Sequence, residues 1–288
     1  MTFGTVAILG PGLIGGSLAR ALTERKLADR LVIYARSERA LAEIRAAKLP
    51  AELTNDARQA VRGADVVILC VPIQKMAEIA KNIRLELKPG ALVTDVGSVK
   101  GSVVRELEPL FGQDVQWIGS HPMAGSEQTG FASARADLFD QAAVILTPTA
   151  RTLPEAQKRA HHFWQALGAR VHVLSPEEHD RAVAQVSHLP HLAAAALAAR
   201  VSGQAIELAG GGFRDTTRIA SGSPELWAEI LSANSDALAP HLDQLIRDLE
   251  QIRLSLRETD PARKKTLLLE ALTAAHHARA KLVAQRPS

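Results

Sequence analysis

Val6-Ala-Ile-Leu9-Gly10-Pro-Gly12-Leu-Ile-Gly15-Gly16-Ser17 decides how this chain is read. A short apolar run of strand length passes at once into a GxGxxG pattern and then into the helix-like stretch Leu13 to Glu24. In that order the glycines do separate jobs: Gly10 permits a tight turn, Gly12 lets backbone approach a pyrophosphate, and Gly15 lets the helix lie close on the strand. The helix N-terminus offers N–H groups and a partial positive charge to phosphates, with Leu13 and Ile14 as further cofactor contacts. GxGxxG alone is a weak signal. Between a strand and a helix of a βαβ unit it marks a dinucleotide site.

Outward from this stretch, β-branched runs alternate with amphipathic segments. Leu31 to Tyr34, Val66 to Val71, Ala91 to Thr94, Val115 to Ile118, Val144 to Leu146 and Val171 to Val173 have strand length, and Ala40 to Ala47 and Val99 to Leu110 are helix-like. Continuous apolar strands separated by helices imply a mostly parallel sheet covered on both faces, because parallel neighbours need crossovers. The expected class is α/β: a Rossmann-like doubly wound domain over residues 1–174, followed by an all-helical domain over 175–288. Beyond Ser175-Pro-Glu-Glu-His179 the strand-like runs give way to Ala/Leu-rich segments, His179 to Val201, Pro224 to Leu256 and Lys264 to Ala284. Leu189 to Val201 is apolar nearly all round, as suits a buried bundle helix or a subunit interface.

At the end of the second strand, an NAD site would usually carry an acidic residue for the ribose 2′-hydroxyl. Here the chain reads Tyr34-Ala35-Arg36-Ser37. Ala35 has no carboxylate to repel a 2′-phosphate, Arg36 can clamp one bidentately and Ser37 can add a hydrogen bond, so NADP is favoured over NAD. Val71, Pro72 and Asp95, at the ends of later strands, complete the expected cofactor contacts.

Charge and composition exclude several classes. Lys and Arg number 34 against 31 Asp and Glu, a net charge of +3, which leaves no basic excess for a nucleic-acid backbone. No apolar run reaches the roughly 18 residues that span a bilayer, and the N-terminus lacks the basic region of a signal peptide. A single cysteine, Cys70, reads as a packed core thiol and cannot form an internal disulfide. The expected setting is cytoplasmic, with neither nucleic acid nor membrane as partner. The adjacent pairs His161-His162 and His276-His277 diverge by about 100° on a helix, so no metal site is expected.

Four further clusters combine small and polar residues with His, Lys or Arg: Thr94-Asp95-Val-Gly-Ser98-Val-Lys100, His121-Pro-Met-Ala-Gly125-Ser-Glu127, Ser187-His188-Leu-Pro-His191, and Gly210-Gly211-Gly-Phe213-Arg214-Asp215-Thr-Thr-Arg218. The first two follow strands, where open α/β sheets bind ligands. Together with GPGLIGGS, in this order and at these separations, they resemble the prephenate/arogenate (cyclohexadienyl) dehydrogenases from Val6 to about Leu256. The resemblance implies oxidative decarboxylation in tyrosine biosynthesis: prephenate gives 4-hydroxyphenylpyruvate, arogenate gives tyrosine, and hydride passes to NAD(P).

By the same resemblance His121 takes the hydroxyl proton, Ser98 hydrogen-bonds the hydroxyl or His121 and helps to place the nicotinamide as a cofactor contact, and Arg218 binds a substrate carboxylate. Ser187 and His191 line the substrate pocket with Gly211, Asp215 orients a neighbour, and Glu127 and Trp227 act in the pocket or as a gate. The helical part is expected to bind substrate and to form a homodimer. His188 reads as a packing or structural residue. For Lys100, contact with cofactor or substrate and a solvated helix start both stay open. Prephenate, arogenate and dual specificity also stay open. A β-hydroxyacid or imine reductase of similar fold, or a non-catalytic NADP-sensing protein, would not need the full motif set.

Overall fold

Buried β-branched runs and the amphipathic helices between them build one eight-stranded sheet. The structure is a computed structural model and describes residues 2–126 and 128–284. The strands are β1 (Thr5–Leu9), β2 (Arg30–Tyr34), β3 (Glu52–Thr54), β4 (Val66–Leu69), β5 (Leu92–Asp95), β6 (Gln116–Pro122), β7 (Ala143–Thr147) and β8 (Arg170–Val173), in the order β3-β2-β1-β4-β5-β6-β7-β8. All neighbours are parallel except β6 and β7, where His121 pairs antiparallel with Ile145. Helices α1 (Leu13–Glu24), α2 (Glu38–Ala46), α3 (Ala57–Val61), α4 (Ile73–Ile83), α5 (Gly101–Leu107) and α6 (Pro154–Ala166) supply crossovers and cover both faces.

Strand alternation sends side chains to two cores. Val6 and Ile8 join Ile33, Ile68, Ile118 and Trp164 on one face, while Ala7 and Leu9 join Val67, Val93 and Met76 on the other. The chain winds one way from β1 to β3 and the other way from β4 outward. The resulting crevice lies between β1 and β4, at their carboxyl ends, where Gly10 follows Leu9.

The remaining helices are α7 (Pro176–Val183), α8 (Leu189–Ala198), α9 (Gln204–Glu207), α10 (Gly211–Thr217), α11 (Pro224–Ala233), α12 (Ser235–Arg257) and α13 (Pro261–Ala284), with a π-helical turn at Ala184–His188 joining α7 to α8. The described chain divides into two compact units, Met1–Ser235 and Asp236–Ser288. The expected division at 174/175 falls within the first unit, where Ser175 and Glu178 form a capping box at the start of α7. Helices α7 to α11 therefore share a unit with the sheet. The second unit consists of α12 beyond Ser235 and α13, where Leu249, Leu254, Leu269 and Leu272 are more than half exposed.

Three details differ from the sequence reading. β3 has a single apolar residue, Leu53, and exists by pairing with Val32–Tyr34 at the sheet edge. Strand β6 runs on through His121 to Pro122. The stretch Pro224 to Leu256 breaks at Asn234, whose buried side chain serves the site described next.

Candidate active site

The crevice after β1 has the geometry of a nucleotide cradle. Gly10 has φ +112°, and a Cβ on Gly15 would stand 2.0 Å from the Gly10 carbonyl oxygen, so the protein's own backbone demands glycine at both places. Gly12 instead faces open space, with nothing within 4 Å of a built Cβ, and no side chain caps α1 beside Leu13 and Ile14. An open, uncapped helix N-terminus fits a pyrophosphate. Ala35 is buried, Arg36 is exposed, and Ser37 caps α2 by accepting from the Ala40 N–H at 3.3 Å, which leaves its hydroxyl proton free to donate. Val71 and Pro72 lead from β4 into α4, whose Gln74 N–H donates to Glu229 of α11 at 2.6 Å.

Strands β1, β4, β5 and β6 are mutually parallel, so the loop at Asp95–Lys100 and the end of β6 share this carboxyl edge. Asp95 is fully buried: its carboxylate accepts from Lys100 Nζ, from Gly97 N–H at 2.8 Å and from Ser120 N–H at 3.1 Å. Lys100 is 0% exposed and also donates to the Ser120 carbonyl at 2.8 Å, which overturns the solvated helix start. Burial pushes the Lys100 ammonium down, and Asp95 and then Asp180 pull the other way. Half-buried Ser98 sits in the loop between Asp95 and Lys100. Cys70, partly buried against the core, has its thiol pushed up by burial.

His121 stands on β6 beside Ser120 and is 7% exposed. Its Nδ1 lies 2.8 Å from Nε2 of His179, whose own Nδ1 lies 2.8 Å from the Asp180 carboxylate. His179 and Asp180 lie on α7, which packs on α5, and the sequence reading passed over both. Their trace in the sequence is no more than a His-Asp pair just inside the capped start of a helix, and it is the packing of that helix that buries them. Burial, followed by His179 and Lys100, pushes His121 well below the ordinary imidazole value, so it rests neutral.

From the helical side, half-buried Ser187 lies in the π-helical turn and His188 and His191 are buried. Asn234 Nδ2 donates to the Asp180 carbonyl at 2.9 Å and to His188 Nδ1 at 3.0 Å. His191 stacks on half-buried Trp227 with ring centroids 3.6 Å apart. His188 Nε2 and His191 Nδ1 are buried without a hydrogen-bond partner among the described residues, as suits atoms that meet a polar ligand. Gly211 and Asp215 lie exposed on α10, and Arg218 opens a turn, Arg218–Ser221, that packs against α8. Glu127 lies outside the described residues.

A dinucleotide cradle, a neutral buried imidazole on the same sheet edge, and two buried histidines beside Trp227 whose ring nitrogens lack a partner among the described residues fit hydride removal from an alcohol. The profile described as "Prephenate dehydrogenase, nucleotide-binding domain" matches residues 18–173, and "Prephenate dehydrogenase, dimerization domain" matches 175–270. The chain belongs to the prephenate dehydrogenase family. The first match begins at residue 18, so the glycine loop is an independent observation. Within this prephenate dehydrogenase family, the cyclohexadienyl dehydrogenase of Zymomonas mobilis is 39% identical over 266 residues, covering 90% of each chain. Prephenate dehydrogenase from Aquifex aeolicus, solved with hydroxyphenyl propionate and NAD+, superposes with TM-score 0.85 at 30% identity over 98% of both chains. Synechocystis arogenate dehydrogenase superposes with TM-score 0.77 at 31% identity, covering 95% of this chain and 99% of its own.

Proposed function

We propose that this protein carries out the NAD(P)-dependent oxidative decarboxylation of prephenate to 4-hydroxyphenylpyruvate, a step of tyrosine biosynthesis. The observation that carries the reading is His121: a buried, neutral imidazole at the carboxyl edge of the sheet that also bears the glycine cradle. A bound nicotinamide supplies the acceptor for the hydride on the ring carbon that bears the hydroxyl. His121 takes the hydroxyl proton as that carbon is oxidised and returns it to the phenolate, while the ring carboxylate leaves as CO2 and its bonding electrons complete the aromatic ring. The proton balance is therefore closed.

The other residues bind and orient. Ser98, beside the strand end, hydrogen-bonds the reacting hydroxyl or His121, and Arg218 holds a substrate carboxylate in two parallel charge-assisted bonds. Ser187, His191, Trp227 and Gly211 line the substrate pocket, and Asp215 orients a neighbour. Arogenate is the second reading. It is favoured by the arogenate dehydrogenase among the neighbours and by a cyclohexadienyl dehydrogenase as a relative. Buried Ala35, exposed Arg36 and the free Ser37 proton support preference for NADP.

The exposed leucines of α12 and α13 support a homodimer through the helical part, since an apolar surface of that kind invites a second copy. Among the described residues no helix is long and apolar enough to cross a membrane, in keeping with a cytoplasmic setting. Absorbance at 340 nm with each pairing of prephenate or arogenate and NAD or NADP tests the reading. Reduction with prephenate and NADP supports it, turnover confined to arogenate favours the second substrate, and silence in all four pairings overturns it.

A further inference from the structure

We propose that Asp180 and His179 are positioning residues that fix the tautomer of His121, leaving its Nε2 bare to receive the substrate proton. This rests on the dehydrogenase reading and deepens it.

The argument is one of counting donors. The Asp180 carboxylate receives the Lys100 N–H on Oδ1 at 2.7 Å, the Gly101 N–H on Oδ2 at 2.8 Å, and the ring of His179 on Oδ1 at 2.8 Å. Burial alone would raise this carboxyl, but the three donors outweigh it and bring it below its ordinary value. An ionised carboxylate only accepts, so His179 Nδ1 carries a proton. Burial keeps His179 neutral against the pull of Asp180, which leaves its Nε2 with a lone pair. His121 Nδ1, 2.8 Å from that lone pair, is then the donor. With its single ring proton committed inward, neutral His121 presents Nε2 as an acceptor.

The arrangement is also rigid. Asp180 is anchored by backbone N–H groups at the start of α5, so no rotation of its side chain is needed to keep the chain of bonds intact. A Cβ on Gly101 would stand 2.8 Å from Asp180 Oδ2, so the close approach depends on glycine at that place. When His121 takes up the substrate proton, its Nδ1–H faces His179 and, one ring further, a fixed negative charge. Orienting a base through a third group is the general logic of catalytic triads.

The test has a spectroscopic and a kinetic arm. In the full-length protein with labelled histidine, two-bond 1H–15N correlations read each ring's tautomer. Protonated Nδ1 and bare Nε2 on both His121 and His179 is the expected result, and a proton on Nε2 of His121 overturns the proposal whatever the turnover. In the kinetic arm, Asp180→Asn is expected to lower kcat by on the order of 10² to 10⁴ with KM and cofactor affinity within about twofold. His179→Gln keeps a carbonyl that can accept from His121 and is expected to retain at least tenfold more kcat than His179→Leu at similar thermal stability. Equal kcat for the two overturns the proposal. Wild-type protein silent with both substrates sinks the dehydrogenase reading instead, and the measured tautomer still decides this one.

Discussion

The imidazole of His191 lies parallel to the indole of Trp227, centroids 3.6 Å apart and planes 11° apart, while His188 meets the same indole edge-on at 6.2 Å. One aromatic ring thus sets the orientation of both histidines of the SHLPH stretch. A stacked aromatic pair contributes about 0.5 to 1.5 kcal/mol beyond its buried area. Trp227→Leu is accordingly expected to raise substrate KM by about three- to tenfold, with kcat and cofactor affinity little changed. Steady-state kinetics with saturating cofactor check this, and an unchanged KM would show that the stack does not serve the substrate.

His121→Asn removes the proton acceptor and keeps the approximate size of the side chain. Turnover is expected to fall by on the order of 10² to 10⁴, the usual worth of a positioned acid or base. Cofactor affinity, read by fluorescence quenching, is expected to stay at the wild-type value. Turnover within a few-fold of wild type would remove His121 from the chemistry.

Lys100 and Asp95 form an ion pair with both side chains fully buried. Replacing one partner of such a pair leaves the other charge uncompensated, at a cost of about 3 to 5 kcal/mol. Lys100→Met is expected to lower unfolding stability by that amount in urea titration, and Lys100→Met/Asp95→Leu to recover part of it. A single variant as stable as wild type would mean that Asp95 takes up a proton at little cost.

Acid sensitivity follows from the buried histidines. Unfolded, each imidazole titrates near 6.5, whereas burial holds folded His188 down at about 4 and lowers His121 and His179 as well. Below about 6.5 the unfolded chain binds protons that the folded one refuses. Stability from this source is complete above pH 6.5 and is lost as pH falls toward 4. Scanning calorimetry is expected to show Tm dropping through this window, by about 2 to 4 °C for each kcal/mol lost in a chain of this size. A Tm level from pH 7 to 5 would contradict it.

Arg36 gives the cofactor argument its own test. Charge-assisted hydrogen bonds contribute about 1.5 to 3 kcal/mol, so Arg36→Ala is expected to weaken NADP by about 10- to 150-fold while leaving NAD within twofold. Equal losses for the two cofactors would remove the 2′-phosphate from the account.

The sequence was most informative where backbone geometry restricts residue choice. Gly10 and Gly15 are recognisable because only glycine fits against Cys70 and Gly10. The motifs around His121 and His191 are recognisable because several small and polar residues cluster within a few positions. His179 and Asp180 were not legible as site residues. Their role arises from the packing of α7 on α5, which brings His179 to a histidine 58 positions earlier in the chain. Lys100 escaped for a related reason, since a lysine reads as solvated unless its partner is known, and the carboxylate that buries it comes from the preceding strand end. β3 lay below any pattern signal because it owes its existence to the neighbouring strand.

Between His179 and His191 the chain is helical without a break, but the turn at Ala184–His188 is wound wider than an α-helix. Pro190, which lacks an N–H, cannot bond back to the Val186 carbonyl in the regular way, and this favours the wide turn. Each α-helical residue advances the helix by about 100°. The wide turn takes up one residue more than an α-helical turn of the same rotation, so closing it into ordinary α-helix at unchanged chain length would swing His188 and His191 away from Asn234 and Trp227 by about that angle. The winding of this stretch is therefore a functional quantity in its own right: a variant that forces 184–188 into α-helix without shortening the chain should disable the pocket, whereas one that also drops a residue here should spare it.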